Sequence, residues 1–365
     1  MVDKNVFATA MDAAGVFRNE TALSPEFLPA EMPGRESQLE EIARALAPAA
    51  EGRLPSNLFI HGPAGSGKTS ACRSVARQLT EYSGKPLVAY VNCWQNSTRQ
   101  SVLAALAQAA GEPSPRRGVA GDEIYSRAMQ QFKRQKRTAI VFLDEADKLF
   151  NGKEHEVLYD LSRSAEMHAV PTAVVMITND SSLVARTEAR IRSSLTPTTV
   201  EFKPYSPQEL KMILSRRAAE AFLPGACQEE AIALCAAFAA KQNGDCRIAI
   251  QLLYKAGRNA EKRGSETLGV QDVRQAAVDA LSSAQQKRSR DEELLSPGAK
   301  NALQMLREND GMRVNEFYLK FAATHGGSER SARNYLRELE ENSFTTETES
   351  WEAGGVRHRT IRLKE

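Results

Sequence analysis

Two hydrophobic patterns alternate along this chain. The first is a short, mainly apolar run closed by glycine or polar residues, as at Leu58, Phe59 and Ile60 and at 88–92, 139–143 and 173–177, and a further strand is expected at 198–202. Runs of that length predict strands buried on both faces. The second pattern places apolar residues three and four apart. Residues 36–47 set Leu39, Ile42, Ala43 and Leu46 on one helical face. A segment opening near Asn96/Ser97 and closing at Gly111 does the same with Val102, Leu103 and Leu106, and 122–134 predicts a further helix. Strands separated by helices predict an α/β fold, a parallel five-stranded sheet with helices on both faces. In such sheets ligands bind beyond the carboxyl ends of the strands.

The pattern changes at Ser206. Ser206-Pro207-Gln208-Glu209 combines a cap, a proline in the first turn and a glutamate at the third position, which together start a helix. From there to about 284 the chain reads as helical, with Ile248, Leu252 and Leu253 facing inward. Residues 282–293 (SSAQQKRSRDEE) are polar and charged and read as an interdomain linker. Helices are expected at 299–308, 314–324 and, after a Gly326-Gly327 turn, 328–341. Gly354-Gly355 then separates two strand-like runs, a hairpin signal. Three helices and a terminal hairpin form the winged-helix arrangement. At the other end, residues 1–30 are irregular. Phe7, Phe17 and Phe27 would be costly to leave in water and predict a packed arm. The expected domains are the arm at 1–30, a nucleotide-binding domain at 31–205, a helical domain at 206–284 and a winged helix at 285–365.

Composition narrows the partners. Lys and Arg number 48 against 46 Asp and Glu, a formal net charge of +2, so any contact with nucleic acid must come from a local patch. The five cysteines (Cys72, Cys93, Cys227, Cys235, Cys246) form neither a C-x-x-C pair nor a metal-ligand spacing. That suits buried thiols in a reducing compartment. No apolar run approaches ~18 residues and no signal-peptide core opens the chain, so a soluble intracellular protein with no membrane partner is expected.

The candidate chemistry begins where the first strand ends. Asn57 to Thr69 reads NLFIHGPAGSGKT, and Gly62, Gly67, Lys68 and Thr69 fill the G-x-x-x-x-G-K-[ST] template. Glycines at 62, 65 and 67 let backbone N–H groups approach a phosphate closely, and the helix from about Lys68 points its N-terminal dipole at the same anion. Gly62, Pro63, Ala64, Gly65, Ser66, Gly67, Lys68, Thr69 and Ser70 are therefore the candidate nucleotide cradle. Lys68 can reach the β- and γ-phosphates, and the Thr69 hydroxyl can hold Mg²⁺. Asp144 and Glu145 close the run at 139–143. A carboxylate there can share the Mg²⁺ while its neighbour orients an attacking water, the alternative being a cap on the next helix. Asn179 ends the next strand and can hydrogen-bond the γ-phosphate or that water, or else close an Asx turn. The Pro33-Gly34-Arg35-Glu36 turn could cover an adenine base.

In this order GPAGSGKT, VFLDEAD, ITND and GDCR resemble Walker A, Walker B, sensor 1 and sensor 2 of the AAA+ ATPases. The Pro33-Gly34-Arg35-Glu36 lead-in, Asn92-Cys93 with an extra helix after it, and ARIRSSL at 189–195 narrow the match. So do FKPYSPQEL at 202–210, NGDCRIAIQLL at 243–253 and the C-terminal pattern. Nearly the whole chain resembles the archaeal and eukaryotic replication initiators, namely subunit one of the origin recognition complex and cell-division-control protein six. The resemblance implies ATP/ADP and Mg²⁺ as cofactors, and a helical lid from residue 206. It implies slow ATP hydrolysis as a switch for assembly or helicase loading. Double-stranded origin DNA, the replicative helicase and other initiator subunits are the implied partners. Location would be nuclear in a eukaryote and cytoplasmic, on the nucleoid, in an archaeon. Arg247 matches sensor 2, reaching from lid to γ-phosphate. Arg190, or else the nearby Arg192, matches the arginine finger that acts on a neighbour's nucleotide, although Ala189 stands where the family often has proline; a surface arginine in a local ion pair is the alternative. Arg35 and Tyr205 are expected beside the nucleotide, a core tyrosine being the other reading of Tyr205. An AAA+ regulator or plasmid or mobile-element protein that does not act at origins is the alternative to an initiator.

The DNA contacts are expected in the C-terminal domain. Arg330, Arg333 and Arg337 are three and four apart and share a helix face, opposite Ala332, Leu336 and Leu339. Arg357, His358 and Arg359 would reach DNA from the wing. A solvated charged face is the alternative, given Glu329, Glu338, Glu340 and Glu341. Trp94, Gln95, Arg99 and Arg116-Arg117 follow Asn92 in a segment that resembles the initiator-specific insertion, a second expected DNA contact.

Overall fold

All five expected strands are present: β1 (Leu58–His61), β2 (Pro86–Asn92), β3 (Thr138–Asp144), β4 (Thr172–Thr178) and β5 (Thr198–Glu201), although β5, at the sheet edge, buries only Val200. In a computed structural model of the chain they pair in parallel in the order β2-β3-β4-β1-β5. The structure describes residues 15–113, 118–151, 154–326, 328–342, 344–351 and 357–364. Phe7, Arg116, Arg117, Gly327, the Gly354-Gly355 turn and the side chain of Arg357 lie outside the described residues. β3 and β4 are buried at every position, as unbroken apolar runs require when both faces of a sheet are covered.

One face is covered by α1 (Glu36–Leu46) and α2 (Lys68–Tyr82), whose Ile42, Leu46 and Cys72 pack with Ile60, Phe142 and Val175. The other is covered by α3 (Arg99–Ala109), α4 (Gly121–Arg134), α5 (Glu156–Ser162) and α6 (Ala189–Leu195), where Leu103, Phe132, Leu158 and Ile191 meet Val141 and Met176. α3 starts later than its composition suggests. Thr98, not Asn96 or Ser97, is the cap, because Ser101 completes a capping box with it.

The helical domain comprises α7 (Pro207–Ala221), α8 (Glu229–Lys241) and α9 (Cys246–Lys262). Ser206 and Glu209 close the expected capping box on α7. The arm is fastened to these helices. Phe17 bridges Phe222 and stacks on its ring at 4.9 Å, and buried Arg217 donates to the carbonyls of Ala22 (2.8 Å) and Phe27 (3.2 Å).

The chain divides into two compact units, Met1–Ala276 and Ala277–Glu365. Residues 282–293, expected as a linker, are instead helical, the second half of α10 (Val270–Leu294). The segment is rich in Gln, Lys, Arg and Glu and holds neither Gly nor Pro, so helix propensity prevails although no apolar stripe marks it. The second unit holds α11 (Pro297–Glu308), α12 (Val314–His325), α13 (Glu329–Glu341) and the antiparallel hairpin β6 (Thr345–Trp351) and β7 (Arg357–Leu363). Leu303, Phe317, Phe321, Leu336 and Leu339 form its core, closed by Phe344 and Ile361.

Candidate nucleotide site and candidate nucleic-acid interface

β1 ends at His61, and the chain from Gly62 to Gly67 turns back into the first turn of α2. Gly65 (φ 69°) and Gly67 (φ 91°) are left-handed. A Cβ on Gly65 would collide with the Asp245 carboxylate, and one on Gly67 would lie 2.5 Å from the Tyr205 hydroxyl. Both positions therefore require glycine for conformation and for close approach. Ser66 ties the loop to itself, its hydroxyl donating to the Pro63 carbonyl at 2.8 Å.

Lys68 folds into this loop. Its Nζ donates to the carbonyls of Gly62 (2.7 Å) and Pro63 (2.8 Å) and to Asn179 Oδ1 (2.7 Å). Burial, only partly opposed by the nearby Asp144 carboxylate, lowers its pKa to about 8. An anion arriving beside it would restore the charge that burial disfavours. Asp144 is 5% exposed and fully engaged. Its Oδ1 accepts from the Thr69 hydroxyl (3.3 Å) and the Glu145 N–H (3.1 Å), and its Oδ2 accepts from the Tyr90 hydroxyl (2.9 Å). Burial, with Asp144 next in effect, pushes the Tyr90 phenol well above its usual pKa, so it stays a donor. Glu145 sits at φ 56°, a left-handed conformation that costs about 1–2 kcal/mol for a residue with a side chain, and strain of this kind gathers at functional sites.

Thr69 and Asp144 offer oxygen donors on one side of the loop. Among the described residues no cluster of three His, Cys, Asp or Glu could hold a metal ion. The donor set fits Mg²⁺, which takes few protein oxygens and completes its shell with phosphate and water.

The helical domain meets this loop directly. The Cys246 N–H donates to the Gly65 carbonyl at 3.2 Å, so the start of α9 rests on the phosphate loop. Asp245 caps α9 and holds Arg247, which donates from Nε (3.2 Å) and a terminal nitrogen (2.7 Å) while staying largely exposed. Together these elements bound a cleft of about 1230 Å³. Ala64 to Ser70, Asp144, Glu145, Asn179, Tyr205 and Arg247 line it, and Gly62 and Pro63 take part through the carbonyls that hold Lys68. Its apolar end is supplied by Phe27, Leu28 and Met32 from the arm and by Ile213 and Ile250 from the helical domain.

Three expected site arginines stand elsewhere. Arg35 does not line the cleft; its guanidinium is buried 3.7 Å over the Tyr205 ring and donates to the carbonyls of Ser66 (2.9 Å), Gly34 (2.6 Å) and Lys203 (2.6 Å). It braces the phosphate loop through the Ser66 carbonyl. Arg99 is held between Asp160 (2.7 Å) and Asp122 (2.6 Å), a tie between α3, α4 and α5. Arg190 also lies off the cleft, more than half exposed, with Glu188 at 2.9 Å and Glu156 at 3.7 Å. Arg192 donates to the Ala185 carbonyl.

In the second unit, Arg330, Arg333 and Arg337 project from the exposed face of α13 while Ala332, Leu336 and Leu339 are buried. Arg333 pairs with Glu329 at 3.0 Å and lies 5.6 Å from the Tyr318 ring, and Arg337 pairs with Glu341 at 3.0 Å. Among the described residues Arg330 has no ion pair. On β7 Arg359 is exposed and His358 half-buried.

A model of AAA ATPase domains matches residues 31–177, and one of the Cdc6 AAA+ ATPase-type lid domain matches residues 211–278. The ORC1-type DNA replication protein 1 of Sulfurisphaera tokodaii is 35% identical over 273 residues, 74% of this chain and 69% of that protein. That of Archaeoglobus fulgidus is 36% identical over 277 residues, 74% of this chain and 68% of the relative. The chain belongs to the ORC1-type DNA replication proteins. It is an AAA+ ATPase of the initiator type. The structure of the Aeropyrum pernix ORC1 protein in complex with DNA aligns with a TM-score of 0.71 at 31% identity, covering 95% of this chain and 94% of that one. The Aeropyrum pernix ORC2 protein in its ADPNP–ADP complexes shares the fold at 19% identity, with a TM-score of 0.72 over 96% of this chain and 94% of that one. No helix among the described residues is long and apolar enough to cross a membrane.

Sequence reasoning missed three parts of this ORC1-type site. Tyr90 lay inside an apolar strand and carried no motif. The wall that residues 20–30 contribute to the cleft was read only as a packed arm, although Pro33, in the turn expected to cover an adenine base, lines the same cleft. Asp245 stood beside the sensor-like arginine and gave no signal of its own.

Proposed function

We propose that the chain is an ATP-dependent initiator that binds origin duplex DNA and uses ATP·Mg²⁺ binding and slow hydrolysis as its switch. The observation that carries this reading is the convergence of Lys68, Thr69, Asp144, Glu145, Asn179 and Arg247 on one cleft, with α9 hydrogen-bonded to the phosphate loop. The triphosphate lies along Gly62 to Ser70, with Lys68 turning from its carbonyl partners to the phosphates. Thr69 and Asp144 would hold Mg²⁺, which when bound would supply charge neutralisation to the phosphates. Glu145 orients the attacking water, Asn179 steadies it, and Arg247 leaves Asp245 for the γ-phosphate, so the lid responds to which nucleotide is bound. Arg190 lies off its own cleft and can reach a nucleotide only in another copy, so hydrolysis by the lone chain is slow and assembly with other initiator subunits accelerates it.

α13 enters the major groove and the wing, with Arg357, His358 and Arg359, follows the backbone. This is supported by the likeness to the Aeropyrum pernix ORC1 protein, solved in complex with DNA. On that reading the protein works on the chromosome, in the nucleoid of an archaeal cell, and presents the origin to the replicative helicase. Genome-wide mapping of its bound DNA, with ATP and with ADP, tests this. Peaks at replication start sites that change with the nucleotide are expected. Peaks confined to promoters would favour a transcriptional regulator.

A further inference from the structure

The Walker-type carboxylate is held by a residue from the neighbouring strand. In the β2–β3 register Tyr90 stands opposite Phe142 and Asn92 opposite Asp144, which makes Tyr90 the diagonal neighbour of Asp144 on the same face of the sheet. Diagonal positions lie about 7–8 Å apart at Cα, a gap that a tyrosine can span and a shorter side chain cannot. Its ring is fixed at both ends of that reach. It stacks on Phe142 with centroids 5.4 Å apart and planes at 16°, and the Arg73 guanidinium, from the pocket side, is 5.2 Å from its centroid. The hydroxyl donates to Asp144 Oδ2 at 2.9 Å.

A carboxylate has a broad terminal torsion, so backbone position alone does not decide which oxygen faces the loop. Here the two oxygens are divided. Oδ1 takes the Thr69 hydroxyl and the Glu145 N–H, and Oδ2 takes the Tyr90 phenol. We propose that Tyr90 is a positioning residue for the metal–nucleotide complex: by occupying Oδ2 it keeps Asp144 Oδ1 beside Thr69, on the side from which Mg²⁺ is approached. The proposal rests on the reading of Thr69 and Asp144 as the Mg²⁺ residues. It predicts that Tyr90 governs how much Mg²⁺ strengthens nucleotide binding and has no part in nucleotide binding without the metal. Partners that orient a metal-binding carboxylate are worth about 10- to 100-fold in metal affinity.

The test is a titration of the full chain with a fluorescent ATP analogue, in EDTA and over a range of free Mg²⁺. Tyr90→Phe keeps the ring and its stack on Phe142 and removes only the hydroxyl. The expected result is unchanged affinity in EDTA, an unfolding temperature lowered only as far as the loss of one buried hydrogen bond requires, and a half-effective Mg²⁺ concentration raised about 10- to 100-fold. In the Asp144→Asn background the same substitution should add nothing. A Mg²⁺ dependence equal to that of the wild type would overturn the proposal. So would an equal loss in EDTA, or an undiminished effect in the Asp144→Asn background, since each would mean that Tyr90 acts other than through this carboxylate. If the wild-type chain binds the analogue but gains nothing from Mg²⁺, the assignment of Thr69 and Asp144 fails with it.

Discussion

The phosphate loop and helix α13 are both short stretches crowded with charge, yet they use it in opposite ways. Around the loop, Lys68, Thr69 and Asp144 are tied across elements, to Asn179, Asp144 and Tyr90 in turn. On α13 the arginines point outward, and two of the three are paired with glutamates of their own helix at i±4. The first arrangement is fixed by tertiary structure and is ready for a ligand. The second is fixed by the helix alone, and a ligand must compete with it.

The largest effect should come from breaking the first arrangement at its strained residue. Glu145→Gln removes the group proposed to orient water and leaves every phosphate contact in place. Turnover should fall about 10²- to 10⁴-fold, as for loss of a general base, while ATP affinity stays within a factor of about two. Single-turnover hydrolysis alongside equilibrium binding checks both. Turnover near the wild-type rate would remove Glu145 from the mechanism.

Lys68→Ala comes next. Losing a charge-assisted contact to phosphate costs about 1.5–3 kcal/mol, or roughly 10- to 150-fold in ATP affinity. The same lysine gives the affinity a pH dependence. Its pKa in the empty site is about 8, below the ordinary 10.5. Below pH 8 it is already charged when ATP arrives. Above pH 8 binding must take up a proton, so affinity should fall with rising pH, by up to about tenfold per unit. Linkage to stability has the opposite slope. Between about 8 and 10.5 the unfolded chain holds a proton that the folded, nucleotide-free chain has lost, so stability there rises with pH. Lys68→Arg, which stays charged, should bind with a flat profile from pH 7 to 9.5. A flat wild-type profile would contradict the depressed pKa.

The two regions also differ in how plainly the sequence announces them. The loop was legible because its chemistry is covalent spacing: Gly65, Gly67 and Lys68 act through positions fixed relative to one another along the chain. β3 and β4 were legible because burial on both faces leaves their interiors apolar, whereas β5 is exposed at three of its four positions. Tyr90 was hidden for the same reason, since an amphipathic tyrosine in an apolar strand looks like core until the β2–β3 register brings it to Asp144. Arg35 and Arg99 illustrate the converse. Arginine in a motif suggests a ligand, but whether its donors face solvent or neighbouring acceptors is decided by residues such as Tyr205 and Asp160, far along the chain. The helix through 282–293 was missed because a polar helix has no hydrophobic period to read.

On α13 the comparison can be sharpened by ranking the arginines. Arg330 has no ion pair among the described residues, whereas Arg333 must give up Glu329 and its place by Tyr318. A base-reading arginine is worth about 1–3 kcal/mol, less whatever its resting pair contributes. Arg330→Ala should therefore lower affinity for the specific site more than Arg333→Ala, although Arg333 stands at the centre of the stripe. Binding to cognate and scrambled duplex measures this. The reverse order would mean that Glu329 positions Arg333 for DNA instead of competing for it.

Arg337 should show the smallest effect on the fold and so the cleanest separation of roles. Its pair with Glu341 spans 3.0 Å, but both side chains are mostly exposed (77% and 64%), and the arginine precedes the glutamate, the weaker orientation on a helix. Such a pair contributes at most about 0.5 kcal/mol, so Arg337→Ala should leave the unfolding temperature almost unchanged. If Arg337 contacts a phosphate, the same substitution should weaken specific and scrambled duplex alike and reduce the salt slope by about one. Glu341→Gln releases the arginine and should strengthen both modestly, with the gain fading as salt rises. A loss of stability with no change in salt slope would place Arg337 with the inward-facing arginines of the first unit, as part of the scaffold.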